Sequence, residues 1–257
     1  MTRPVHVRRR FWSSFVSPMW LGAPRMALLC SRGAEALLRE GGLDQFGSVL
    51  DVGAGPGDVV APLAHLFRTA GATEASWPCV LRLRSAGVAA ARCDDIAALP
   101  PWLRAHLRLA ERGGVDVVSL LNVLDRCDAP RALLRDAAAM LRPGGRLLLA
   151  LRLPLDCFVL GRSDRPRRPR EGLLQPAVAP ANWAEAAGEL VEGVTAREGL
   201  RLEAFAQVPY LCQGDSSDAR FYALDDFVGV FSVASRGGGG VSPGGTVSAS
   251  TSKQSVT

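Results

Sequence analysis

Three glycines at alternate positions, Gly53, Gly55 and Gly57, directly follow the short apolar run Ser48-Val49-Leu50-Asp51-Val52. Glycine where a strand turns into a helix lets the chain bend sharply and lets a ligand approach the main chain closely. The spacing narrows the choice of ligand. A dinucleotide loop runs G-x-G-x-x-G, and its third glycine would fall on position 58, which is Asp58. Glu74 lies about 20 residues past the loop, the separation at which a carboxylate ending a second strand accepts hydrogen bonds from both hydroxyls of a ribose. Taken singly, an ordinary tight turn and a solvated surface charge explain these residues. Together they describe a nucleoside site.

The G-x-G-x-G form resembles the loop of proteins that bind S-adenosylmethionine. That cofactor has no pyrophosphate, and an acid beside its sulfonium and amino groups is electrostatically favourable. Asp51, just before the loop, suits that purpose.

The elements that must position these residues alternate along the chain. The run 47–52 is read as a buried strand, and Pro56 opens a helix to about Ala70 through Val60, Leu63 and Leu66. A weak second strand ends near Glu74, and a third apolar patch covers Val88 to Cys93. Val115 to Leu121 is a stronger strand. An amphipathic helix follows from Ala129 to Leu141, closed by the turn signal Pro143-Gly144-Gly145. The apolar run Arg146 to Leu153 belongs in the middle of a parallel sheet. A basic, proline-rich loop over 162–181 reads as a surface insertion, and a helix from Trp183 to Arg197 precedes two strands, Leu202 to Tyr210 and Phe221 to Val233.

Only about ten residues join those last strands, so they form an antiparallel hairpin. The expected fold is an α/β Rossmann-like sheet ending in that hairpin, with helices on both faces, the arrangement of the methyltransferase class. Three regions are expected: an N-terminal helical lid over 1–46, the methyltransferase domain over 47–234, and a disordered glycine- and serine-rich tail over 235–257.

Composition excludes several alternatives. With 257 residues, 48% of them hydrophobic, the chain can close one full core. No apolar stretch reaches the roughly 18 residues of a membrane span. The net charge of +5 comes almost wholly from arginine, Lys253 being the only lysine, and the dense basic run Arg162 to Arg170 lies in a loop; nucleic acid is not the expected partner. Cys30, Cys79, Cys93, Cys127, Cys157 and Cys212 are scattered singly and make no metal-ligand spacing with His6, His65 or His106, so no metal is expected. No acidic residue precedes Glu35, a pattern shared with mitochondrial presequences, but Pro18 and Pro24 interrupt any amphipathic helix. A lid built on Phe11, Trp12, Phe15 and Trp20 is the favoured use of this segment.

The most specific blocks lie further along. Leu121-Asn122-Val123-Leu124-Asp125-Arg126-Cys127-Asp128-Ala129-Pro130 closely resembles the DREV family of protein-histidine N-pros-methyltransferases. The resemblance continues in Leu147 to Pro154, Asn182-Trp183, Pro209-Tyr210-Leu211-Cys212-Gln213-Gly214-Asp215 and Tyr222-Ala223-Leu224-Asp225-Asp226. It implies a seven-stranded methyltransferase fold with S-adenosylmethionine as cofactor. It also implies methyl transfer to the pros nitrogen of histidine in His-x-His motifs of protein substrates, x being small. Asp51, Gly53, Gly55, Gly57, Glu74, Asn122 and Tyr210 are then the cofactor-binding residues, while Asp125 and Asn122 are catalytic, Asp125 facing the substrate imidazole.

The chemistry asks for such residues. A neutral imidazole carries one lone-pair nitrogen and one N–H. An aspartate accepting from the distal N–H fixes the tautomer and aims the pros nitrogen at the methyl group. Asp125 or Asp128 also suits an N-cap of the following helix; capping is assigned to Asp128 and catalysis to Asp125. Tyr210 also reads as an ordinary strand aromatic.

Pro56 replaces a family aspartate, Asp58 a glutamate, and Phe221 a tyrosine. The family's apolar leader is missing, so cytoplasm is the expected compartment, with endoplasmic reticulum or mitochondrion as the alternatives; a monomer is expected. Two competing functions stand beside histidine methylation: a methyltransferase acting on RNA or a small molecule, and an inactive protein that keeps the fold as a scaffold.

Overall fold

The computed structural model describes residues 28–160, 166–173, 180–213 and 221–234. The lid expected on Phe11, Trp12, Phe15 and Trp20 and the tail beyond 235 lie outside them. Helix α1 (Ser31–Glu40) precedes the first strand. Strand β1 (Ser48–Val52) and strand β4 (Val115–Leu121) are buried at every position. Burial of every position is the mark of strands covered on both faces, and it explains their unbroken apolar runs.

Between them lie α2 (Val60–Ala64), β2 (Thr69–Glu74), α3 (Trp77–Ser85), β3 (Ala89–Arg92), α4 (Pro101–His106) and α5 (Leu109–Arg112). After β4 come α6 (Pro130–Ala139), β5 (Leu141–Arg152) and the two-residue strands β6 (Val159–Leu160) and β7 (Pro166–Arg167). Helix α7 (Trp183–Leu190) and the hairpin β8 (Leu200–Gln213) and β9 (Phe221–Val233) complete the order.

Seven strands form one sheet in the order β3-β2-β1-β4-β5-β9-β8. The first five are parallel, and β9 runs antiparallel to both β5 and β8. The chain winds outward from β1 to β3 and then returns to β4, so the C-terminal ends of β1 and β4 flank a crevice. Such switch points are where open α/β sheets bind ligands.

Side chains alternate between two layers. Leu50, Val118 and Leu149 pack with Leu134 of α6 and Leu190 of α7, while Val49, Val117 and Leu148 pack with Leu37 and Leu38 of α1 and Leu63 of α2. Among the described residues no helix is long and apolar enough to cross a membrane.

Three expectations are corrected. The helix after Pro56 is a single turn at Val60–Ala64, because β2 must begin at Thr69 to pair with Ser48. The signal Pro143-Gly144-Gly145 does not end an element; it is an irregularity within β5, where the pairing jumps from Val115↔Leu141 to Val117↔Arg146. The helix from Trp183 is regular only to Leu190, then widens to a π turn over Val191–Thr195 and tightens over Ala196–Glu198 before stopping at Gly199.

The end of the sheet far from the crevice is held by Asp116. Fully buried, it accepts from Ser48 N at 2.7 Å, Arg142 Nε at 2.6 Å and Arg112 Nη2 at 3.1 Å. Burial alone would push its carboxyl up, but the hydrogen bonds from Arg142 and Ser48 hold it below the ordinary value of 3.8. Its stabilisation is therefore full above that value and is lost as pH falls through the lower folded one. Asp116→Ala strands two partly buried guanidinium groups, and denaturant melts at neutral pH are expected to show a loss of about 3–5 kcal/mol.

Candidate functional site

Three strand ends build the crevice. At the end of β1, Gly53, Gly55 and Gly57 all have positive φ, at 70°, 55° and 101°. A Cβ added at Gly53 would sit 2.7 Å from Val123 Cγ2, and one at Gly57 would sit 2.9 Å from Leu83 Cδ2. Conformation and space both demand glycine at these two positions. At Gly55 an added Cβ would meet nothing within 4 Å. The middle of the loop is open on that side, which leaves its main chain approachable by a ligand.

Glu74, at the end of β2, accepts from Gly55 N at 3.0 Å and from Ser76 N at 2.9 Å. It ties the glycine loop to the second strand, and each carboxylate oxygen keeps lone-pair capacity for a ribose hydroxyl. Asp51 lies below the loop within β1, accepting from Ser119 Oγ of β4 at 2.5 Å. Its carboxyl is pushed up to about 7, chiefly by burial, with the Ser119 hydrogen bond opposing and Glu74 adding to the rise. These residues fit a nucleoside with cationic groups: an open main-chain approach, a diol acceptor, and a buried carboxyl beneath that a cation would ionise.

Strand β4 ends at Asn122, whose φ of +57° is a left-handed conformation that asparagine tolerates better than most residues. Its N–H donates to Ala150 O at 2.8 Å, and its Nδ2 donates to Asp226 Oδ2 at 2.6 Å. Asp125 follows in a 3₁₀ turn, Leu124–Arg126, and is 3% exposed. Its Oδ2 pairs with Arg126 Nη1 at 2.7 Å, whereas its Oδ1 has no hydrogen-bond partner. Burial pushes its carboxyl up from the ordinary value, and the Arg126 charge pulls the other way. Arg126 is in turn fixed by Asp156 O at 2.7 Å and lies 4.0 Å over the Phe158 ring.

Glu74, Gly55, Asp51, Asn122 and Asp125 thus meet at the strand ends. Tyr210 lies on β8 opposite Leu224, and its side chain is outside the described residues. Asp226 was not anticipated as a site residue. It is fully buried on β9, with its carboxyl pushed up to about 7, first by burial and then by the nearby Asp125 charge, against the Asn122 hydrogen bond. The signal lay in the adjacent pair Asp225-Asp226 inside an apolar strand. Period-two alternation turns one of two neighbours inward, and an inward carboxylate needs a purpose.

Asp128 does not cap α6. It accepts instead from Arg167 Nη1 at 2.6 Å, Arg170 N at 3.0 Å and Arg170 Nε at 3.1 Å, and these partners hold its carboxyl far below the ordinary range. The helix start is capped by Glu171, whose Oε2 accepts from Arg131 N at 2.9 Å and Ala132 N at 3.3 Å. The segment expected as a surface insertion is therefore pinned to α6 at 166–173. With α7 it borders an open cavity of about 510 Å³ lined by residues that include Leu155, Cys157, Arg168, Leu173 and Glu189. Phe158 N donates to Asp125 O at 3.0 Å, so the wall residue Cys157 is one position from a direct contact with the Asp125 turn. Burial pushes the Cys157 thiol to about 11 and that of Cys127 to about 12, which leaves both protonated at neutral pH. They are not nucleophiles there.

Comparison with known proteins agrees with the fold. The chain is similar to a candidate RNA methyltransferase from Pyrococcus horikoshii, with a TM-score of 0.51 and 14% identity over 86% of this chain and 92% of that one. It is also similar to the CcbJ methyltransferase from Streptomyces caelestis, with a TM-score of 0.50 and 20% identity over 86% and 96%. At such identities the likeness speaks for the fold alone. The DREV methyltransferase family matches residues 37–233.

Proposed function

The chain belongs to the DREV methyltransferase family, and we propose that within it the protein methylates the pros nitrogen of histidine in His-x-His segments of other proteins. S-adenosylmethionine is the cofactor and supplies, when bound, a methyl group made electrophilic by its sulfonium. The observation that carries the substrate reading is Asp125. One of its oxygens is held by Arg126, and the other is buried without a partner. A buried, unpartnered carboxylate oxygen costs about 1–3 kcal/mol, which an incoming N–H donor recovers.

An imidazole meets that need with its distal N–H. Accepting this bond, Asp125 leaves the pros nitrogen as the lone-pair atom and orients it. As the ring becomes an imidazolium, the same carboxylate faces the new positive charge and is worth more to it than to the neutral ring. Little base catalysis is required, since histidine with a pKa of about 6.5 is mostly neutral at pH 7. Arg126 keeps the carboxylate in place and opposes the burial that would protonate it. The cavity beside Cys157 gives room for residues that flank the target histidine.

Buried Asp51 makes cofactor binding depend on pH. Its carboxyl is pushed up to about 7, and burial is the first cause of the rise. The net positive cofactor favours the ionised form and lowers that value when it binds. Affinity is therefore expected to rise as pH passes upward through 7, with proton release on binding. Calorimetry in two buffers of different ionisation heat measures that release, and Asp51→Asn should diminish it.

The substrate reading is tested by offering labelled S-adenosylmethionine to a peptide containing His-Ala-His and to the same peptide with both histidines changed to alanine. Label in the first peptide alone is the expected result. Label in neither peptide, but in RNA offered in parallel, would overturn the reading.

A further inference from the structure

Asp226 lies outside the glycine loop and outside the Asp125 turn. It sits on β9 opposite Arg152 of β5 on one side and Val208 of β8 on the other. Its side chain is 0% exposed. The 2.6 Å bond from Asn122 Nδ2 to its Oδ2 crosses from β9 to the end of β4, joining residues 104 apart in sequence. Asn122 adjoins the cofactor loop directly, since the next residue, Val123, packs where a Cβ on Gly53 would fall.

A primary amide is planar and has two unlike ends: Nδ2 only donates and Oδ1 only accepts. Reversing it exchanges a donor for an acceptor with almost no change of shape, so an amide facing a ligand needs a neighbour that decides its orientation. A carboxylate is acceptor-only, so an ionised Asp226 can bind the Nδ2 end and no other. The main chain adds a second restraint, because the left-handed φ and the bond from Asn122 N to Ala150 O hold the backbone from which the amide extends.

We infer that Asp226 is a positioning residue for the cofactor: by engaging Nδ2 of Asn122 it turns the carbonyl end of that amide toward the cofactor's N–H donors. The cofactor's methionine ammonium is the donor that most favours an acceptor oxygen. The inference rests on the assignment of Asn122 to the cofactor and is independent of whether the methyl acceptor is histidine. It separates two roles for buried acids in one crevice. Asp226 acts through an amide on the cofactor side, and Asp125 acts directly on the acceptor side.

The test uses the purified full chain and S-adenosylhomocysteine, titrated calorimetrically. This ligand keeps the ammonium but has lost the sulfonium charge. Asp226→Asn and Asp226→Leu both remove the carboxylate charge, but only the asparagine retains an oxygen that accepts from Asn122. Asp226→Asn is expected to bind within about threefold of wild type, and Asp226→Leu at least about tenfold more weakly. Asn122→Ala should lose a similar factor, and adding Asp226→Leu to it should cost no more than about a further threefold, because the two act as one unit.

A solely structural role predicts loss of melting temperature with affinity following it. Orientation of the amide predicts loss of affinity in excess of any loss of melting temperature, since Asp226→Leu also leaves Nδ2 of Asn122 without its Asp226 acceptor. Should Asp226→Leu fail to fold, Asp226→Val serves with the same expected loss. Equal weakening in Asp226→Asn and Asp226→Leu would overturn the inference in favour of the charge itself. So would independent, additive losses in the double variant, or unchanged binding in Asn122→Ala.

Discussion

Asp125→Ala is expected to bind S-adenosylhomocysteine within about threefold of wild type while kcat falls by about a hundredfold to a thousandfold, the scale on which a preorganised electrostatic contact to a transition state is lost. The asymmetry follows from where the residue sits. Glu74 is tied to the glycine loop through Gly55, and Asp51 is tied to β4 through Ser119; neither bond involves Asp125. The substitution removes the proposed acceptor for the imidazole N–H and the charge that would face the forming imidazolium. Arg126 keeps its bonds to the carbonyls of Asp125 and Asp156 and its place over Phe158, so the turn should persist. Asp125→Asn is the sharper companion. It keeps an acceptor oxygen but no charge, and should fall between wild type and alanine. Single-turnover kinetics with a separate cofactor titration measure both halves, and unchanged turnover would remove Asp125 from the mechanism.

Glu74→Gln should give the largest loss of cofactor affinity, on the order of a hundredfold, although it changes one atom. Two charge-assisted hydrogen bonds to a ribose diol at about 1.5 kcal/mol each account for that factor. The same carboxylate accepts from Gly55 N and Ser76 N with its two oxygens. A glutamine must turn its NH₂ toward one of those N–H groups, donor against donor, and so loosens either the loop or the strand end. Glu74→Asp keeps both acceptors on a shorter stem and should lie between. Titration of S-adenosylhomocysteine distinguishes them; affinity within threefold of wild type in Glu74→Gln would exclude the diol role.

Much of the fold was legible because burial on both faces imposes unbroken apolar runs. Strand β4 falls on Val115–Leu121 as read, and the final hairpin followed from a connection too short for a crossover. Strand β2 was faint for a physical reason. Its sequence is Thr-Ala-Gly-Ala-Thr-Glu, and Gly71 is small because Leu103 and Leu107 press against it, with an added Cβ falling 3.0–3.1 Å from their side chains. Those leucines sit on and just beyond α4, a helix that the sequence pattern does not mark, so strand and helix hide each other. The irregularity in β5 was read as a terminator because proline and glycine usually end elements, whereas Gly144 here takes φ +78° inside the pairing.

The glycine loop, Glu74 and Asp125 were visible as local spacing or as a resembling motif. Two features were not, and both depend on contacts distant in sequence. Asp128 loses its expected cap because Glu171 arrives at the helix start from about 40 positions away, leaving Asp128 to Arg167 and Arg170. Asp226 became meaningful only once β9 inserted between β5 and β8 and brought it against Asn122. Local pattern finds residues that act from one turn; it is blind to partners that the topology supplies.

The most direct test of the account incubates the purified protein with labelled S-adenosylmethionine and a His-Ala-His peptide, hydrolyses the product and separates the two methylhistidine isomers. On the proposed contact between the distal N–H and Asp125, the label should appear in the pros isomer and be nearly absent in Asp125→Ala. Label in the distal isomer, or a peptide left unlabelled by protein that binds the cofactor normally, would contradict it.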